Sequence, residues 1–211
     1  LIKKDFGVDL NKASYFAGHS LGEYTALACA KVLGFSESLN LLKIRGKSMQ
    51  EAVPNGKGGM VAVLGSNPDQ IEKIINENNK NYECYIANDN SNGQQVISGK
   101  MEDLDLFMDD LKKNSIKSIK LPVSAPFHCK LMNNATKIMQ NEIQKSDFKN
   151  PINTLISNVT NQEIKDSSML KELLIKQIES KVRWRENVNL MIEKGTQKFI
   201  EIGPGKVLSG L

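Results

Sequence analysis

The sequence predicts an α/β protein: a mostly parallel sheet covered by helices, interrupted by a smaller βαββαβ unit. Three observations carry this reading. A short apolar run, Tyr15-Phe16-Ala17, passes into a helix-forming stretch through Gly18-His19-Ser20-Leu21-Gly22. Strand-like and helix-like periodicities alternate on both sides of residues 57–123. Inside those residues the order is strand, helix, strand, strand, helix, strand, the ferredoxin-like arrangement, in a segment short enough to be an insert.

Taken in order, Ala13 to Ala17 reads as a buried strand and Leu21 to Val32 as a helix. Ala26, Ala28 and Ala30 would let that helix lie close to a sheet, and Gly34 stops it. Ser36 is placed to cap a second helix, with Leu39, Leu42, Met49 and Val53 as its apolar stripe. Pro54-Asn55-Gly56 breaks the chain. Met60–Leu64 follows as a strand, then a helix opened by Asn67-Pro68-Asp69 with Ile71, Ile74 and Ile75 inward. Tyr82–Ala87 and Gln94–Ser98 read as strands joined by an Asn- and Gly-rich connection, Glu102–Lys113 as a helix, and Ile116–Val123 as a strand. Beyond the insert, Lys130–Gln144, Ser168–Ser180 and Trp184–Lys194 have helical patterns. Thr154–Ser157 and Phe199–Ile202 read as buried strands.

Composition narrows the function. A net charge of +4 over 211 residues, with no basic stripe or interleaved aromatics, argues against nucleic acid as partner. No apolar run is long enough to cross a bilayer, so no membrane role is expected. Cys29, Cys84 and Cys129 lack any C-x-x-C spacing, which argues against a zinc site and a disulfide framework and for a reducing compartment. The acidic run Asp103, Asp105, Asp109 and Asp110 reads as the solvated face of a helix rather than a metal site. Arginine is scarce among the 28 basic residues. Lysine, asparagine and isoleucine abound, a skew of AT-rich coding, so Arg45 draws notice.

The chemistry starts at Ser20. Glycines two before and two after a serine suit a sharp strand-to-helix turn that lifts the hydroxyl toward the first N–H groups of the helix, where an oxyanion would be stabilised. The same pattern also suits a tight turn whose serine only caps a helix. A serine nucleophile needs a base. His19 is adjacent and points to the opposite face, which leaves His128, in a Pro-flanked loop, as the base by elimination. Arg45, between Leu42 and Met49, falls on or beside an apolar stripe, where a guanidinium requires an anion, an internal carboxylate partner or an escape to solvent.

Four ordered motifs add to this. Gly18-His19-Ser20-Leu21-Gly22-Glu23-Tyr24, Arg45-Gly46-Lys47-Ser48-Met49-Gln50, Val123-Ser124-Ala125-Pro126-Phe127-His128 and Glu201-Ile202-Gly203-Pro204-Gly205-Lys206 together resemble the malonyl-CoA:acyl-carrier-protein transacylase family. The resemblance implies an α/β-hydrolase-like large subdomain over residues 1–56 and 124–211, with a ferredoxin-like insert at 57–123. It implies transfer of a malonyl group from malonyl-CoA to acyl carrier protein through a malonyl ester on Ser20, with no cofactor and no metal. By the same resemblance the backbone carbonyl of Gln177 orients His128, the Leu21 N–H is an oxyanion donor, and Arg45 holds the malonyl carboxylate. Phe127 would exclude a branching methyl, and Asn88 and Asn90 would face the site. A preceding segment with a Gly-Gln-Gly-x-Gln-type loop and a short C-terminal tail are expected too, since the chain opens at Leu1. The implied protein is a soluble monomer of a plastid-type organelle or a bacterial cytoplasm. Two rivals share part of the pattern. An α/β-hydrolase-type esterase or thioesterase would want an acidic residue between Ser20 and His128 in chain order. A docking module for carrier protein would need no chemistry at all.

Overall fold

The computed structural model describes residues 2–211. In chain order it begins with α1 (Ile2–Phe6), β1 (Tyr15–Phe16), α2 (Leu21–Cys29) and α3 (Phe35–Gln50). Next come β2 (Gly58–Leu64), α4 (Pro68–Glu77), β3 (Cys84–Ser91), β4 (Gln94–Lys100), α5 (Met101–Lys113) and β5 (Lys117–Lys120). The last part holds α6 (Asn133–Lys145), β6 (Thr154–Ile156), β7 (Glu163–Ile164), α7 (Leu170–Lys176) and α8 (Trp184–Glu193).

Two sheets divide these strands. β1 and β6 pair in parallel, Tyr15 opposite Thr154 and Phe16 opposite Leu155, and β7 adds antiparallel to β6. Helices α2, α3, α6 and α7 bury one apolar core against this sheet, including Phe16, Leu27, Leu41, Met139, Leu155 and Leu173. The second sheet is antiparallel throughout, in the order β3-β4-β2-β5. Its own core, with Val61, Ile97, Leu104 and Phe107, lies under α4 and α5. Alternation along β2 sends Val61 and Val63 to that core and Met60 to the opposite face, with Val96, Leu121 and Phe127.

Backbone bonds tie the two regions together. Val182 and the β3 edge exchange N–H groups, Val182 N to Ala87 O at 2.8 Å and Asp89 N to Val182 O at 2.9 Å. Arg185 on α8 then grips the fully buried Asp89 through Nε and Nη2, at 2.8 to 3.0 Å.

The structure adds α1 and β7, which the sequence reading did not mark, and differs from it in the following elements. Phe199–Ile202 forms no strand, and Phe199, Ile200 and Ile202 are exposed, because an apolar run becomes a strand only where a neighbour accepts its backbone. The described part of the first sheet holds one parallel pair and one antiparallel pair, so it is mixed rather than mostly parallel. α3 starts one residue before Ser36, with Gly34 at the cap position and no side-chain cap, and its buried face is Ser38, Leu41, Arg45, Ser48 and Met49 while Leu39 is exposed. α7 covers only Leu170–Lys176 of the longer helix expected there. Asn88 and Asn90 lie within β3, at two register shifts, rather than in a connecting turn.

Candidate active site

Ser20 sits where β1 ends and α2 begins, with φ 53° and ψ −106°. For a residue with a Cβ this is a strained backbone, of the kind that persists only where the surroundings hold it. Gly18 makes the bend possible: a Cβ there would lie 1.9 Å from the Gly22 carbonyl oxygen. The G-x-S-x-G spacing treats the two glycines alike, but a Cβ at Gly22 meets nothing within 4 Å. One glycine is demanded by close approach, not both.

Two side-chain amides hold the strained residue. The Ser20 N–H donates to Asn158 Oδ1 at 2.8 Å, and Asn158 Nδ2 donates to the Gly18 carbonyl at 2.7 Å. On the other side Gln177 Nε2 donates to the Ser20 carbonyl at 2.9 Å. Beneath both amides lies Glu23, in the first turn of α2. Its Oε2 accepts from Gln177 Nε2 at 2.5 Å and its Oε1 from the Asn158 N–H at 3.3 Å.

His128 reaches the site from the loop that returns from the second sheet, and it too has a positive φ, 60°. Ser98 fixes that loop by donating from Oγ to the Phe127 carbonyl at 2.5 Å. His128 Nδ1 lies 2.9 Å from the Gln177 carbonyl oxygen, which can only accept, so the proton is on Nδ1 and Nε2 has a free lone pair. That lone pair faces Ser20 Oγ at 2.7 Å. Burial, with the Arg45 charge nearby, pushes the imidazole down to about 3, so it is neutral at any ordinary pH.

Arg45 lies on the buried face of α3, 6% exposed. Its Nη2 donates to Ser20 Oγ and to Gln177 Oε1, both at 2.9 Å. The Ser20 hydroxyl therefore accepts from Arg45 and has its proton free for His128 Nε2. The guanidinium carbon stands 5.7 Å from the centroid of the Tyr24 ring. Among the described residues no carboxylate lies within ion-pair distance of Arg45, and its buried Nε has no partner. Glu23 feels it through space: burial raises this carboxyl to about 7, against the hydrogen bonds from Gln177 and Asn158 and the arginine's charge.

The other expected residues are placed as follows. Leu21 opens α2, and among the described residues its N–H has no protein acceptor, as befits the first turn of a helix. Phe127, partly buried, packs between the first core and the Met60 face of the second sheet. Asn90 Oδ1 accepts from His19 Nε2 at 2.8 Å, and the His19 ring meets Trp184 edge-on. Asn88 is engaged in the bridge to Val182. Gln177 contributes its side chain as well as its carbonyl, a second role that the sequence did not suggest. Asn158 and Glu23 were missed. A polar residue directly after a buried strand and an acid in the first turn of the elbow helix are ordinary enough to pass unnoticed.

Comparison with known proteins places this geometry. The family model described as acyl transferase domain matches residues 6–209. Malonyl CoA-acyl carrier protein transacylase of Bacillus subtilis (strain 168) is 41% identical over 202 residues, 93% of this chain and 63% of the relative. The crystal structure of acyl-carrier-protein-S-malonyltransferase from Bartonella henselae superposes with a TM-score of 0.94 at 37% identity, covering 99% of this chain and 67% of that one. A malonyl-transacylase solved in complex with a type II PKS acyl-carrier protein gives 0.93 at 36% identity, covering 100% and 68%. The chain spans about 63% of the length of the first curated relatives it matches.

Proposed function

The chain belongs to the acyl transferase domain family, and from that premise we propose that it moves a malonyl group from malonyl-CoA to the phosphopantetheine thiol of acyl carrier protein. The observation that carries the reading is a serine hydroxyl at 2.7 Å from a neutral imidazole, beside a buried guanidinium whose Nε has no partner among the described residues. In this reading His128 Nε2 takes the proton of Ser20 as Oγ attacks the thioester carbonyl. The oxyanion is received by the Leu21 N–H. The proton on Nε2 passes to the leaving CoA thiol, and a malonyl ester remains on Ser20. The carrier thiol then attacks that ester, its proton going to His128, and the serine is restored.

A backbone carbonyl replaces the carboxylate of a Ser-His-Asp triad. A neutral acceptor at Nδ1 fixes the tautomer but stabilises the imidazolium less than an aspartate would. Arg45 is assigned to the distal carboxylate, since a guanidinium matches a carboxylate in shape and charge. Phe127 is assigned to steric selection, and Asn88 and Asn90 to the wall contributed by β3. The same reading divides the chain into an α/β-hydrolase-like unit, residues 1–56 and 124–211, and a ferredoxin-like insert, residues 57–123, and takes the protein to act as a monomer. The β3-β4-β2-β5 order supports the second assignment.

The test is intact-mass measurement after mixing with malonyl-CoA. A malonyl adduct that forms on the parent chain, is absent from Ser20→Ala and is discharged by carrier protein supports the proposal. Adduct on a cysteine, or release of free malonate at the same rate without carrier protein, overturns it.

A further inference from the structure

The reading above leaves unexplained why a carboxylate is buried directly beneath the nucleophile. Glu23 is buried, at 7% exposure, has no cationic partner within 4 Å among the described residues, and accepts only from N–H donors. Its two donors are the Gln177 side chain and the Asn158 main chain. Those same two residues grip the backbone of Ser20 from opposite sides, at its carbonyl and its N–H. Gln177 also supplies the carbonyl that sets the His128 tautomer and the side-chain oxygen that meets Arg45. One carboxylate thus bonds to both residues that hold the Ser20 backbone, one of which also orients the His128 imidazole.

We propose that Glu23 is a positioning residue, which locks Gln177 and Asn158 and through them holds the serine elbow and the imidazole in register. The charge-free substitute Gln cannot do the same. With donors on both sides, one of its termini must present an N–H to another N–H, so one link is lost. A loosened Gln177 would release the His128 Nδ1 proton to solvent exchange and weaken the proton transfer, while Arg45 would still present its guanidinium to the donor. The effect therefore belongs in kcat rather than KM. It rests on the acyl-transfer reading only for the kinetic part; the imidazole readout does not.

The experiment compares Glu23→Gln with the parent chain by 15N-histidine NMR and by single-turnover acylation with malonyl-CoA. The His128 Nδ1–H signal, protected in the parent, should exchange at least ten-fold faster in the variant. Acylation should slow by about ten- to a hundred-fold, with KM within about three-fold of the parent. Gln177→Met, which keeps the backbone carbonyl and removes the amide, should reproduce the faster exchange and decides the matter if Glu23→Gln does not fold. Unchanged exchange in the folded variant, or in Gln177→Met, overturns the proposal. Failure of the parent to acylate while the exchange result holds would count against the transfer reaction, not against the role of Glu23.

Discussion

The two sides of the Ser20 hydroxyl are built on opposite principles. On one side the elbow rests on Asn158, Gln177 and Glu23, which bond to one another and to the backbone of Gly18 and Ser20. On the other side Arg45 is as deeply buried but only partly satisfied, with its Nε unpartnered and no carboxylate in contact. A buried polar group is stable only when its bonds are made. In the proposed reading the satisfied side fixes geometry, and the unsatisfied side is kept for the anionic end of the acyl group.

The strongest way to break the satisfied side is to remove the imidazole it orients. His128→Ala should lower acylation by about 10²- to 10⁴-fold, the usual contribution of a general base, as measured by single-turnover kinetics. A smaller, more local test uses the elbow's two glycines. Gly18→Ala drives a Cβ into the Gly22 carbonyl and should cost roughly 3 kcal/mol in thermal or denaturant unfolding, the upper end for overpacking. Gly22→Ala has open space and a helical backbone, so it should be neutral or stabilising by about 0.5 kcal/mol.

The smallest effect is a pH signature. His128, at about 3 in the folded chain against 6.5, binds fewer protons than in the unfolded chain between those values, so it makes stability rise with pH over that window. Glu23, at about 7 against 4.5, does the reverse between 4.5 and 7. The two oppose each other from 4.5 to 6.5, and only the histidine acts below 4.5. Removing the acid in Glu23→Gln should therefore expose a steeper loss of stability on acidification from 6.5 to 4.5, read from unfolding midpoints across that range. An unchanged slope would mean the two groups are not linked to folding as described.

Some of this site was legible in the sequence because side-chain chemistry alone implied it. The G-x-S-x-G spacing, the elimination of His19 and the place of Arg45 on a helical stripe all point to residues that the fold brings within 2.7 to 2.9 Å of Ser20 Oγ. Gln177 was different. Its carbonyl is a backbone atom, which any residue possesses, so only the family resemblance marked the position. Asn158 and Glu23 escaped because a buried polar residue declares its purpose through its partners, and those are distant in sequence. The same limit explains the misread strands. Phe199–Ile202 had the apolar composition of a strand but no neighbour to pair with, and β7 was too short to show a period. Asn88 and Asn90 looked like turn residues, yet β3 accommodates them at its bulges.

The measurement that bears most directly on the contrast is the ratio of kcat/KM for malonyl-CoA to that for acetyl-CoA in Arg45→Ala. Losing a charge-assisted contact of roughly 1.5–3 kcal/mol should reduce malonyl transfer by about ten- to a few-hundred-fold. Acetyl transfer should hold steady or rise, since the methyl no longer faces a charge without a partner. Arg45→Lys should recover only part of the malonyl rate, because a point charge lacks the guanidinium fork. An equal fall for both donors would contradict the account. It would place Arg45 with the residues that hold the elbow, and leave the site without its reader of the malonyl carboxylate.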